Sequence, residues 1–295
     1  MVLDHVFLRL YRYMLIDGTI VLEGGANRGV FTAGVLDYLM EKNIYFKNII
    51  GVSAGAANAL NYASHQKGRS KKTIVIDKKE NKYINKLNIY NSKILDMEKI
   101  FETFPNITFP FDYEAYIKNK HNVEIATTNC FTGCCEFHKI NPYKKDLKCC
   151  AASCSMPFAA PIVDFNNSKY VDGSVSNSIP LDYAQSLNTK NIVFVLTQKE
   201  GYYKKELSSL NKAMIRIKYK KYPKLVEAML ARPARYNNRI EAISKKEAKK
   251  ELFVIRPEVD TISHLEQNVN VLNNFYDHGR YVISNKFNNF LEYLT

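Results

Sequence analysis

No internal repeat and no low-complexity tract interrupts this chain, which excludes a solenoid or a disordered polypeptide as its basic plan. With 12 glycines and 9 prolines in 295 residues it is not collagen-like either. A long apolar run is also missing. Val6–Ile16 is apolar, but Arg9 and Arg12 interrupt it, it is too short to span a bilayer, and it has no small-residue cleavage pattern. It is expected to form an amphipathic helix, on a membrane surface or packed on the core. Zinc spacing is absent: Cys130, Cys134, Cys135, Cys149, Cys150 and Cys154 cluster without C-x₂-C pairs, so no metal site is expected. No secretory signal precedes them, and the expectation is free thiols in a reducing, cytoplasmic compartment.

Acidic residues are in short supply, 29 against 42 Lys and Arg, for a formal net charge of +13. The surplus is local. Lys199–Arg256 holds 17 Lys or Arg against 6 Asp or Glu, a surplus of 11, and the rest is near neutral. Such a field suits an anionic partner, nucleic acid or a membrane bearing acidic lipids. Its rival is a solvated helical face. No nucleic-acid recognition fold accompanies the charge, so nucleic acid is not expected as a partner; peripheral contact of residues 199–256 with an anionic membrane stays open.

What is present is a globular composition, 46% hydrophobic and 24% charged. That suffices for one large α/β domain, alone or with an appendage. Thr19–Glu23 reads as a buried strand, Gly29–Glu41 as a helix with apolar residues at helical spacing, Asn48–Val52 as a second strand and Ala54–Ser64 as a close-packed helix. This βαβα opening with short connections predicts a parallel sheet flanked by helices.

The polar stretch 67–93 has a candidate strand at Thr73–Ile76. Helices are expected at Ile94–Phe104 and Asp112–Ile117, separated by Pro105 and Pro110. Strands follow at Val123–Thr128 and Cys135–Ile140, a helix at Leu147–Cys154, a short strand at Lys169–Val171, a helix at Leu181–Leu187 and a strand at Asn191–Thr197. Beyond Gly201 basic helical segments run to about Lys250, then a strand-like Leu252–Ile255, then helix from about Leu265. The division expected is an N-terminal segment 1–18, an α/β unit 19–200 and a basic, mostly helical region 201–295 packed on it.

Two loops carry chemistry. Gly51-Val52-Ser53-Ala54-Gly55 fits G-x-S-x-G between a strand and a helix. In that turn a strained serine is lifted out of the sheet at the positive end of a helix, and Gly51 and Gly55 avoid collisions with neighbouring backbone. Gly24-Gly25-Ala26-Asn27-Arg28-Gly29 also joins strand to helix. Its small residues leave N–H groups for an oxyanion or phosphate, with Arg28 adding positive charge. A dinucleotide fingerprint would need glycine where Ala26 stands, and an acidic residue at the end of the next strand, which instead ends in Ser53. Because the loops end successive parallel strands, about 5 Å apart, Gly24–Ala26 should lie near Ser53.

A serine hydroxyl needs a base. None of His5, His65, His121, His138, His264 and His278 follows a loop-ending strand, though a Ser53…Asp172…His264 or His278 order would satisfy a triad. Asp172, delivered by a short strand into Gly173-Ser174, is the other candidate, and burial beside Ser53 would strengthen it as a base.

In this order Gly24-Gly25-x-x-Arg28-Gly29, Gly51-x-Ser53-x-Gly55 and Asp172-Gly173 resemble the patatin-like phospholipases. Gly34-Val35-Leu36-Asp37, Ser53-Ala54-Gly55-Ala56 with Asn58, Ala152–Phe158 and Ile179-Pro180 resemble the bacterial branch of that family, over about residues 19–200. Ile255-Arg256-Pro257 and Tyr276-Asp277-His278-Gly279 resemble its helical C-terminal extension. Ser174 stands where the family usually has Gly or Ala. The resemblance implies a three-layer α/β/α fold with a mainly parallel central sheet and a helical C-terminal elaboration. It implies a Ser–Asp dyad, Ser53 as nucleophile and Asp172 as proton acceptor, with an oxyanion hole at Gly24, Gly25 and Ala26 and Arg28 nearby. The substrate would be a phospholipid or other acyl ester, cleaved through an acyl-serine without metal or organic cofactor. A non-enzymatic lipid adaptor, or transfer of the acyl group to another acceptor, are the alternatives.

Overall fold

The computed structural model describes residues 14–85 and 94–295. Its opening follows the apolar periodicity: β1 (Met14–Leu22), α1 (Gly29–Glu41), β2 (Ile44–Val52) and α2 (Ala54–Ala63). The helix expected at Val6–Ile16, on a membrane surface or packed on the core, and His5 fall outside the described residues except at Met14–Ile16, which are the first residues of β1 rather than helix. A short α3 (Arg69–Ile74), a π-helical segment (Lys99–Thr108) and α4 (Tyr113–Asn119) lead to β3 (Asn122–Asn129) and β4 (Cys135–His138). Next come α5 (Lys148–Ser153), β5 (Val163–Phe165), β6 (Ser168–Asp172), α6 (Leu181–Ser186) and β7 (Asn191–Val195). The C-terminal third holds α7 (Ser209–Lys218), α8 (Pro223–Ala248), β8 (Phe253–Ile255), α9 (Val269–Asn285) and α10 (Phe287–Leu294).

Among the described residues eight strands form one sheet, ordered β5-β6-β3-β2-β1-β7-β8 with β4 on the far edge of β3. The pairs among β3, β2, β1, β7 and β8 are parallel, and β4, β5 and β6 are antiparallel additions. Alternation along the strands feeds two cores. Ile20, Leu22, Ile49, Val193 and Val195 point into one with α1, α2 and α9; Val21, Ile50, Phe194 and Leu196 point into the other with α6 and α8. Both faces are covered, as a parallel sheet requires. The C-terminal region is not a separate body: β8 extends the sheet, and Phe290 on α10 is fully buried in the first core.

The α1–α9 contact explains two sequence motifs. A Cβ on Gly34 would collide with the Tyr276 carbonyl oxygen, and one on Gly279 with that of Phe31. The helices therefore cross backbone to backbone, and Tyr276 Oη donates to the buried Asp37 at 2.7 Å.

Two expectations need correction, and one strand has no counterpart among them. Thr73–Ile76 is not a strand, since Arg69–Ile74 is helical. Its β-favouring side chains are overruled by tertiary anchors: Gly68 N–H donates to Asp37 Oδ1 at 2.9 Å, and the Arg69 guanidinium holds the Phe109 carbonyl at 2.7 Å. Pro105 does not end the helix before it; the chain winds through it as a π-helix. An α-helical proline clashes with the carbonyl four residues back, and the wider winding changes that register. Strand β5, three residues long, carried no readable alternation.

Candidate active site

The central geometry follows from strand register. β2 pairs with β3 as far as Val52, opposite Ala126. The next β3 residue, Thr127, pairs with Asp172 of β6. Since β4 occupies the other edge of β3 over these residues, β6 takes up the edge that β2 has just left. Ser53, the first residue past β2, therefore meets Asp172, 119 residues away in the chain. Ser53 Oγ donates to Asp172 Oδ2 at 2.7 Å.

Ser53 has φ 54° and ψ −126°, a left-handed position that a non-glycine residue holds only when its surroundings force it. The enforcing contacts are visible. Its N–H donates to Ser153 Oγ on α5 at 2.8 Å, and α2 begins at the next residue, so its positive end lies beneath the hydroxyl. Gly55 has no room for a side chain, since a Cβ there would strike the Leu22 carbonyl. Gly51 packs on Ala56, and Gly173 on Ala126.

The Gly24-Gly25-Ala26 loop faces the same spot. A Cβ built on Gly24 would lie 2.7 Å from Ser53 Cβ and 3.5 Å from its Oγ. Arg28 N–H closes the turn onto the Gly25 carbonyl at 3.1 Å, while the amides of Gly24, Gly25 and Ala26 donate to no protein acceptor among the described residues. The loop is tied to the chain just past β7 through buried Glu23, which accepts from Thr197 N–H at 2.7 Å. Arg28 Nε is buried and likewise without an acceptor among the described residues. Unsatisfied buried donors are rare and call for a reason.

Asp172 is fully buried. Burial raises its pKa, opposed by the Ser53 hydroxyl, the positive charge of Arg232 and the Ser174 N–H, which donates to Oδ1 at 2.8 Å. The carboxylate is thus a stronger base than a free aspartate. No histidine stands between it and Ser53. His278 packs on Phe31 and accepts from Glu258 N–H. His264 lines the adjoining cavity, where its carbonyl accepts from Asn27 N–H at 3.1 Å. The one thiol on this cavity wall, Cys154, is held well above its ordinary pKa by a hydrogen bond with Cys150 and by burial, and a protonated thiol is a poor nucleophile.

Ser53 and Asp172 open into a cavity of about 360 Å³. Its walls are mostly apolar: Ala57 from α2, Ile74 from α3, Ile100 and Phe101 from the π-helical segment, and Met156-Pro157 after α5. Sequence reasoning missed Ala57, Ile74, Ile100, Phe101 and Arg232, because distant segments meet here without a local motif; Met156-Pro157 were singled out only as part of the family resemblance. Ser174 joins two of these groups: Arg232, on α8, donates to its carbonyl at 2.9 Å and to its Oγ at 2.8 Å.

A family model described as "Patatin-like phospholipase" matches residues 20–184, and one described as "Domain of unknown function (DUF6363)" matches residues 222–295. The "Uncharacterized protein YjjU" of Escherichia coli (strain K12) is 27% identical over 189 residues, 62% of this chain and 53% of that protein, so the match spans about half the relative's length. The "Probable lipid hydrolase 463L" of Invertebrate iridescent virus 6 is 25% identical over 259 residues, 77% of this chain and 87% of that protein. Among solved structures, VipD from Legionella pneumophila superposes with a TM-score of 0.45 at 15% identity, over 91% of this chain and 67% of that one. The family match covers more than half of the 295 residues and holds both loops and Asp172 within it: the chain belongs to the patatin-like phospholipase family.

Proposed function

We propose that the protein is a serine lipid acyl hydrolase working through a Ser53–Asp172 dyad. Ser53 Oγ attacks the ester carbonyl carbon while Asp172 Oδ2 takes its proton. The tetrahedral oxyanion is held by the amides of Gly24, Gly25 and Ala26, with Arg28 nearby. The carbon–oxygen bond to the alcohol breaks, Asp172 returns the proton to the leaving oxygen, and the acyl group stays on Ser53. Water, deprotonated by Asp172, then attacks the acyl-serine; the bond to Ser53 Oγ breaks, Asp172 returns the proton to that oxygen, and the fatty acid leaves. The observation that carries this reading is the 2.7 Å hydrogen bond from a strained serine to a buried aspartate at the floor of an apolar cavity. The cavity volume suits part of an acyl chain. A lipid-binding adaptor would have no use for such a strained pair.

In this reading residues 19–200 are the catalytic unit and residues 201–295 a basic elaboration that closes over it, with Arg232 as its contribution to the site. The test is hydrolysis of a short-chain acyl ester by Ser53→Ala and Asp172→Asn proteins. Each should lose on the order of 10⁴-fold or more in kcat, with the circular dichroism spectrum unchanged. Activity kept by both variants would remove the dyad.

A further inference from the structure

We propose that α7 and the basic segment after it form a docking face for an anionic lipid surface, and that this face leads to the catalytic cavity. The proposal rests on the lipid acyl hydrolase reading. Helix α7 is amphipathic in an unusual sense. Its inner side is anchored: Ile215, and Tyr219 just beyond the helix, are both 5% exposed and pack with Val171, Leu225 and Met229. Its outer side is also apolar. Leu210, Met214 and Ile217 are 68%, 43% and 73% exposed, and their i, i+4, i+7 spacing puts them in one stripe.

The charge around the stripe has one sign. No acidic residue occurs between Glu206 and Glu227, while Lys212, Arg216, Lys218, Lys220, Lys221 and Lys224 do. Lys224 is paired, with Glu227 at 2.9 Å; Arg216, Lys220 and Lys221 are exposed. Apolar side chains ringed by cations suit the boundary between acyl chains and anionic headgroups. Among the described residues no helix is long and apolar enough to cross a membrane, so the contact is with the surface.

Continuity with the site selects a lipid surface over an acidic protein. Met214 and Ile215 line a second cavity of about 920 Å³, with Lys204 and Arg232 on its wall. Met156, Pro157 and Phe158 form a wall common to this cavity and to the one that opens onto Ser53. Phe158 is held by Tyr219, whose Oη accepts its N–H at 2.9 Å. A lipid drawn from a surface under α7 would therefore arrive beside the dyad.

The experiment is sedimentation with phosphatidylcholine vesicles, with and without phosphatidylglycerol, at low and high salt. The full-length protein carries Ser53→Ala so that binding is read without turnover. It should bind the phosphatidylglycerol vesicles preferentially and release them at high salt. Leu210→Glu, and separately Lys220→Glu with Lys221→Glu, should each weaken binding about tenfold or more. In the Ser53 protein the same changes should lower fatty-acid release from vesicles in parallel, and leave hydrolysis of a soluble short-chain ester unchanged. Equal binding to neutral and anionic vesicles, or full binding by both variants, would overturn the proposal. So would a protein whose α7 variants lose only the retention of an acidic protein. Failure of the parent to cleave the soluble ester would instead count against the hydrolase reading, and leaves the binding result to stand by itself.

Discussion

Arg232 reaches Asp172 through a single intervening residue. Its guanidinium donates to Ser174 Oγ and to the Ser174 carbonyl, while the Ser174 N–H donates to Asp172 Oδ1. Asp172 is fully buried and Arg232 half-buried, so the charge of one acts on the other with less screening than in water. Burial raises the aspartate's pKa and Arg232 lowers it. Burial, then Arg232, also lowers the nearby Lys204 ammonium to about 8.

In the proposed reaction Asp172 must be ionised to accept the Ser53 proton, so activity is expected to fall as pH drops through its pKa, which burial raises above the ordinary carboxylate value. Arg232→Gln removes the charge that favours the ionised form, and the acid limb of kcat/KM against pH should move upward. A limb that stays in place would show that Arg232 does not act on the base.

Gly24→Ala places a methyl group 2.7 Å from Ser53 Cβ and 2.9 Å from the Val52 carbonyl. The loop must back away and take its amides with it. Removal of one oxyanion donor reduces kcat by about 10²–10³-fold. A loss of that size is expected, with KM for a short ester little changed; kinetics on the purified variant decide.

Ala57 lines the cavity together with the apolar residues of the π-helical segment. Ala57→Phe should fill acyl space and move preference toward shorter chains. Ratios of kcat/KM across a series of esters of increasing chain length provide the check, and an unaltered ratio would place the acyl chain elsewhere.

Gly279→Ala tests the packing of the C-terminal helix α9 on α1. Alanine is better than glycine in a helix by about 1 kcal/mol, but here its methyl would press on the Phe31 carbonyl. Overpacking costs about 1–3 kcal/mol and more against backbone. Net destabilisation is expected, roughly 2–4 °C in Tm per kcal/mol, in one cooperative transition. Two transitions would mean that the C-terminal region unfolds on its own.

Much of this architecture was legible from residues whose neighbours in sequence are also their neighbours in space. The β1-α1-β2-α2 opening could be read because apolar spacing and the glycine turns are local signals. The proximity of Gly24 to Ser53 needed only the spacing of adjacent parallel strands. Asp172 was marked by a short motif and a family resemblance, but the register that delivers it, with β6 taking over the β3 edge from β2, has no local signature. Arg232 was hidden among 17 cations of a basic stretch. The path through Pro105 and the helix at Arg69–Ile74 depend on contacts with Phe109 and Asp37, which no propensity contains. The exposed stripe of α7 reads in sequence as an ordinary amphipathic pattern, because its second apolar side appears only once Ile215 is seen to be buried.

The reaction proposed here depends on one hydroxyl becoming an acyl carrier. A fluorophosphonate probe, followed by peptide mass spectrometry, measures that directly. The expected result is one adduct, on the peptide containing Ser53, formed by the unaltered protein and greatly slowed by Asp172→Asn. An adduct on Cys154 or another serine, or ester hydrolysis that continues with Ser53 unlabelled, would contradict the account.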